Sequence, residues 1–438
     1  MQAHAASDAE AEARRAVADL ALTESGAPQA QPEAVQLPRM VSALHHRNYR
    51  FFWAGNFLSN VGTWMQSVAM GWLVFQLTNS AFWLGMVGFA SQVPMLVFAL
   101  WGGVIADRVN RRTMLMRSQA AMMVFAFLLA GLTFANVITV KQVAVLTFLT
   151  GVAMSLAMPA HQALVPALVP RKDLTNAIAL NSAQFNLSRV LGPMLGGFAM
   201  ASFGVAGNFL LNGISFLAVL YALSRIEYPA QQPDVTGSLY RKLIEGFRYV
   251  HANREMRALI VLITLSSLLS LPYINFIPLF AREILGVGER GLGVLMACSG
   301  AGAFAAAATI AYTAGKVKRR GRLVATSGIV LQLAVIGFCF SRWFALSAVL
   351  LGLSGFAMIL MVANVNSLLQ HLAADEMRGR VMSIYATAYV GFVPIGSLIA
   401  GALSEWVPAP RALAAMSAVA LVATLYLYYF RPTLRRMD

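Results

Sequence analysis

The sequence predicts an all-α integral membrane protein: twelve transmembrane helices in two pseudo-symmetric six-helix bundles. Three observations carry this. Of 438 residues, 58% are hydrophobic and 12% charged, against about a quarter charged in a soluble domain, so too little polar surface exists to cover the apolar mass. Basic residues alternate from one connection to the next. One basic pattern recurs roughly half a chain length later.

Residues 1–44 form an Ala-, Glu- and Gln-rich stretch without the apolar core of a secretory signal, and read as a mostly disordered polar tail. Twelve apolar runs follow, near 51–77, 82–105, 113–135, 140–164, 174–200, 204–225, 256–280, 288–314, 322–341, 344–371, 381–404 and 409–430. Each is long enough to cross ~30 Å of hydrocarbon as a helix. The first six make a bundle over 45–226 and the last six a bundle over 255–431; residues 432–438 are a short tail.

Between the bundles, residues 227–254 carry Pro229, Pro233 and Gly237. Leu239–Val250 then alternates apolar and basic at helical spacing, as an amphipathic helix lying on a membrane face does.

Charge orients the runs. Alternate connections and the two termini hold 27 of the 33 Lys and Arg, while the intervening connections hold only Lys141, Arg282, Arg290, Arg342 and Arg411. Cytoplasmic segments are the basic ones, so both termini are expected in the cytoplasm. The formal charge of +15 sits in short clusters, as at an anionic membrane surface. No nucleic-acid module accompanies it, and no nucleic-acid partner is expected. Cys298 and Cys339 lie inside apolar runs with no disulfide or metal spacing, and neither metal nor cofactor is expected.

Ala106-Asp107-Arg108-Val109-Asn110-Arg111-Arg112-Thr113-Met114-Leu115 returns 208 positions later as Ala314-Gly315-Lys316-Val317-Lys318-Arg319-Arg320-Gly321-Arg322-Leu323. Leu191–Gly197 is echoed by Ile395–Gly401 at an offset of 204, and Gly151–Met154 by Gly355–Met358. Two echoes at nearly one offset imply a duplicated unit, and parallel six-helix repeats in a membrane mark one transporter architecture.

Four groups of residues point to mechanism. Gly103, Asp107, Arg108, Arg111 and Arg112 make a compact loop in which a carboxylate at a helix end can bind a neighbouring helix N-terminus and bias a two-state equilibrium. Asn110 is expected at a turn needing φ > 0, which Asn tolerates after Gly. Gly192, Pro193, Gly196 and Gly197 allow close helix approach and a kink. Arg189 is the one Lys or Arg outside every connection; a cation at that depth faces a cavity or a partner, and it shares a helix face with Ser182 and Asn186. Polar stripes complete the set: Asn56, Asn60, Thr63 and Ser67 with Gln66 alongside, then Asn275 with Ser267, and Asn364 with Ser367 and His371.

No Asp or Glu falls in the middle of any run. Asp107, His161 and His371 are left as the titratable candidates for proton coupling.

Gly103 to Arg112 resembles the loop signature of the major facilitator superfamily, with Asn110 where that family has Gly. Gly-Pro-x-x-Gly-Gly from Gly192 to Gly197 resembles its exporter-associated helix motif. Phe51 to Gln66 is similar to the bacterial branch of enterobactin exporters and macrolide-efflux proteins. The resemblance implies a twelve-helix fold whose first, fourth, seventh and tenth helices line a central cavity. It implies a proton antiporter, monomeric, in a bacterial inner membrane, exporting a small amphipathic molecule of siderophore or drug-like type. An importer on the same fold, or a non-transporting membrane sensor, are the alternatives. An enzyme is not expected, since the chain offers no nucleophile–base pair, ligand set or phosphate loop.

Overall fold

The computed structural model describes residues 39–108, 110–226, 239–313 and 319–430, with the side chains of 39–40, 99–108 and 239–243 outside that description. The first half of the chain contains α1 (Arg47–Thr78), α2 (Ala81–Arg108), α3 (Arg111–Phe134), α4 (Val140–Ala167) and α5 (Leu174–Arg225). A linker helix, α6 (Leu239–Ala252), leads to the second half. There α7 (Arg254–Leu269), α8 (Tyr273–Leu279), α9 (Glu289–Tyr312), α10 (Arg320–Phe340), α11 (Phe344–Leu372), α12 (Asp375–Ala386), α13 (Phe392–Leu403) and α14 (Ala409–Phe430) follow.

Local signals set the ends. Asn79 closes α1 in the left-handed region at φ 45. Thr139 and Gln142 make a capping box at the start of α4, and the Asn253 side chain accepts from two amides at the start of α7. α5 runs unbroken through Pro193 and turns instead at Gly204, at φ 69 and ψ 178, a region that favours glycine. Its arms are 174–203 and 205–225. Two π-helical turns, Phe280–Ile284 after α8 and Thr387–Gly391 between α12 and α13, interrupt the second half.

Asn110 corrects an expectation. Its φ is −55, and its side-chain oxygen accepts from the backbone amides of Arg112 and Thr113. It serves as the N-cap of α3, the role Asn fills by hydrogen bonding, not as a left-handed turn. The left-handed residue is Arg319, at φ 62, in the second copy of the loop.

Among the described residues, ten helical segments are long and apolar enough to cross a bilayer. One of these is the 55-residue stretch that contains both arms of α5, and α1 is not among the ten. The expected count of twelve requires the arms to be separate spans and α1 to be a span despite its polar stripe.

Within the first half α1 packs on α5, α2 on α4, and α3 on α4 and α5; in the second half α9 and α10 pack on α11, and α10 on α14. The halves meet where α5 lies on α9 and α2 on α13. Helices gain little hydrophobic energy from association in lipid and rely on close van der Waals packing. Accordingly, a methyl group on Gly197 of α5 would stand 2.8 Å from the Gly293 Cα of α9, and one on Gly85 of α2 would stand 2.9 Å from the Gly401 Cα of α13. Gly293 lies 208 positions after Gly85, and Gly401 lies 204 after Gly197. The two contacts are therefore one repeat contact made twice with the halves exchanged.

Both glycine contacts lie at the end of the bundle where α2 and α9 begin, away from the start of α1 and the end of α14. The same end carries the Arg282 guanidinium over the Phe75 ring at 5.8 Å and that of Arg290 over Phe198 at 5.9 Å, contacts worth ~0.5–1 kcal/mol each at exposed sites.

At the other end α1 is tied to α5. His46 and Asp173 meet at 2.8 Å, the Tyr49 hydroxyl donates to the Ala177 carbonyl at 2.8 Å, and Trp53 donates to the Leu180 carbonyl at 3.1 Å. The linker helix α6 docks on α12. Arg380 pairs with Glu245 at 2.6 Å, the Ala374 amide donates to the Tyr249 hydroxyl at 3.3 Å, and Val250 is buried. Phe247 remains 64% exposed on the opposite side of α6.

Candidate functional site

Arg189 organises the centre of the molecule. It stands fifteen residues beyond the start of α5, a rise of ~22 Å. The Gly300 Cα of α9 packs directly on its carbonyl group, so its backbone is held at the boundary between halves. The guanidinium lies over the Trp64 ring of α1 at 5.6 Å. Trp64 meets Phe185, one turn before Arg189, edge to face at 6.2 Å.

The aromatic side chains differ in freedom. Tyr273 is fully buried and hydrogen-bonded to Ser354 of α11 at 2.7 Å. Tyr389 and Trp64 are half-buried, and Phe185 is 45% exposed. Tyr385 stacks on Tyr389 at 6.3 Å and donates to the Val362 carbonyl at 3.0 Å. The result is a cation at mid-depth, over one ring of an aromatic pair of the first half and with its backbone against α9 of the second.

The polar stripes fall in different places. Gln66 is buried and accepts from Asn212 of the second arm of α5 at 2.7 Å; it joins helices of the first half. Thr63, Asn186 and Asn364 each donate to a carbonyl one turn back in their own helix, those of Ser59, Ser182 and Leu360. Asn56 is buried and Asn60 half-buried on α1. Asn275 donates to Ser397 of α13 at 2.8 Å, within the second half. Ser367 accepts from Arg320 at 2.7 Å.

In the helix motif, Gly192 and Gly196 face α1 at Val61, Trp64 and Met65, while Gly197 faces α9. The motif thus presses α5 between the two halves, and Pro193 adds no break.

Gly103, Asp107 and Arg108 belong to the last turns of α2, and their side chains lie outside the described residues. Arg112 donates to the carbonyls of Leu223 at 2.7 Å and Ser224 at 2.8 Å, satisfying the C-terminal end of α5. Arg111 begins α3 beside it. His161 lies against the Phe52 ring at 5.2 Å in α4, and His371 is exposed in the last turn of α11.

Sequence reasoning missed Phe185 and Asn212. An aromatic in an apolar run carries no mark that separates a cavity wall from packing. Asn212 could have been found as a polar residue in the run that follows Gly204.

Comparison with known proteins identifies the family and the fold. The family model described as "Transmembrane secretion effector", of the major facilitator type, matches residues 39–438. The chain is similar to the staphyloferrin A transporter of Staphylococcus aureus, at 22% identity over 88% of this chain and 97% of the relative. It is similar to the multidrug efflux pump Tap of Mycolicibacterium fortuitum, at 27% identity over 87% and 94%. It is also similar to the enterobactin exporter EntS of Salmonella choleraesuis, at 25% identity over 86% and 90%. Among solved structures, the nucleoside transporter NupG superposes with a TM-score of 0.71 at 13% identity, covering 88% of this chain and 99% of that one.

Proposed function

The chain belongs to the transmembrane secretion effector family of the major facilitator superfamily, and from that premise we propose that it exports a small amphipathic molecule from the cytoplasm by alternating access. It is a multi-pass protein of the bacterial inner membrane, a transporter and not an enzyme. The observation that carries the proposal is the placement of Arg189, over Trp64 and with its backbone against Gly300 of α9, at the boundary of two halves that also make a doubled glycine contact at one end. A carrier of this kind exposes one central site alternately by rocking its bundles.

Export is supported by the names of two relatives, an efflux pump and an exporter, and by the Gly192–Gly197 motif. A siderophore or a drug-like compound fits the same names. In this reading the arms of α5 and the helix α1 complete twelve spans, 45–226 and 255–431 are the two bundles, residues 227–254 link them, and both termini are cytoplasmic. The site then opens toward the cytoplasm, because the closed end is the one away from the termini. The protein acts as a monomer. Protons drive it, with Asp107, His161 and His371 as the titrating candidates, and Asp107 with Arg108, Arg111 and Arg112 forms the latch at the cytoplasmic ends of α2 and α3.

The test is metabolite profiling of the medium of cells with and without the gene, in iron-poor and iron-rich growth. A compound that leaves the cell only when the gene is present supports export. A compound depleted from the medium in the same comparison makes the protein an importer.

A further inference from the structure

We propose that Arg189, over Trp64, which meets Phe185, at the boundary with α9 of the second half, is an anion site that takes the carboxylate of an aromatic organic acid. This deepens the export reading and rests on it. The argument begins with what Arg189 lacks. Among the described residues its guanidinium makes no hydrogen bond and no ion pair, and its close contact is one ring face. The acids among the described residues, such as Asp173, Glu283, Glu289, Asp375 and Glu405, stand at helix ends. No carboxylate of the described protein can neutralise the charge at mid-depth.

While the site is open, water solvates the guanidinium. When the bundles close around it, that water leaves, and an unpaired cation in a membrane interior is strongly disfavoured. One indole face returns only a fraction of the loss. A bound carboxylate removes the difficulty, because its two oxygens match the fork of the guanidinium. Closure is then favourable chiefly with an anion in place, which gives the carrier a reason to move loaded.

The walls specify the rest of the ligand. Trp64 and Phe185 meet at 67°, leaving the 45%-exposed ring of Phe185 as a flat surface next to the ring that carries the cation. Flat apolar faces beside a fixed cation suit an aromatic ring that carries its acid group directly.

The test uses the full chain in lipid nanodiscs and three probes of one shape: 1-naphthoate, 1-naphthamide and 1-naphthylmethylammonium. Calorimetry reads binding. Wild type is expected to bind the carboxylate at least about tenfold more tightly than the amide, the worth of a charge-assisted pair, and the ammonium more weakly than either. Arg189→Gln is expected to bind carboxylate and amide alike, and Arg189→Lys to keep part of the preference; retained amide binding shows that each variant is folded. A wild type that prefers the amide or the ammonium, or binds none of the three, overturns the proposal, as does an Arg189→Gln variant that keeps the full carboxylate preference. Transport of 1-naphthoate in everted vesicles is a separate arm. Movement out of the vesicle lumen, which is the periplasmic side, would end the export reading while leaving the binding result standing.

Discussion

Gly197 of α5 and Gly293 of α9 lie back to back, so close that a methyl group on either would stand 2.8 Å from the other's Cα. Their repeat equivalents, Gly401 and Gly85, make the same contact between α13 and α2. The duplication read from the basic loops thus reappears as a pair of hinges at one end of the bundle. At Gly85, Gly197 and Gly293 a Cβ would come within 3.0 Å of the facing backbone, so that end closes as it does because these residues lack one.

Replacing Gly197 by Leu is therefore expected to prop the end open. Overpacking costs about 1–3 kcal/mol, enough to shift a two-state equilibrium by roughly 5- to 150-fold. In a background with Cys298 and Cys339 replaced by Ala, a cysteine placed at Phe185 should react faster with a membrane-impermeant thiol reagent added outside the cell, and transport should fall. An unchanged labelling rate would separate the glycine contact from gating.

The Gln66–Asn212 pair is expected to act within the first half and not on cargo. A double-mutant cycle with Gln66→Leu and Asn212→Leu should return a coupling of about 0.5–1.5 kcal/mol in thermal unfolding. The order of preference among substrates should stay as in wild type. A changed order would move Gln66 into the cavity.

Much of this was legible in the chain. Run lengths and the 27-to-5 charge bias marked the helices, and Arg189 stood out because no connection could hold it. The polar stripes showed a helix face but could not name its neighbour, so Gln66 and Asn275 read the same as Asn56 although both are held by side-chain hydrogen bonds. Gly85 and Gly293 passed unmarked, since a single glycine in an apolar run fits packing anywhere.

The linker helix is expected to travel with the second half. A methyl group on Gly246 would lie 3.0 Å from the Arg380 Cβ, within reach of a disulfide after slight adjustment. Oxidising the pair Gly246→Cys and Arg380→Cys should leave transport near the uncrosslinked rate. The Glu245–Arg380 ion pair is partly exposed, so its loss should cost at most about 1 kcal/mol. Arrested transport on oxidation would show that α6 leaves α12 during the cycle.

Asp107→Asn is expected to slow cycling while insertion and expression stay normal. A hydrogen bond to a charged group carries about 1.5–3 kcal/mol, so its loss should change the occupancy of one access state by roughly tenfold or more. Efflux assays at matched protein levels decide it, and an unimpaired variant removes the latch from Asp107.

Rocking of the halves is measured most directly by fastening the end where they touch. A methyl group on Gly401 of α13 would lie 3.2 Å from the Phe82 Cα of α2, so Phe82→Cys with Gly401→Cys can be joined by mild oxidation across the two halves. Transport should stop when the bond forms and return on reduction, while the crosslinked protein still binds its ligand from the cytoplasmic side. Undiminished transport by fully crosslinked protein would mean that this end never parts, and the alternating-access account would fail.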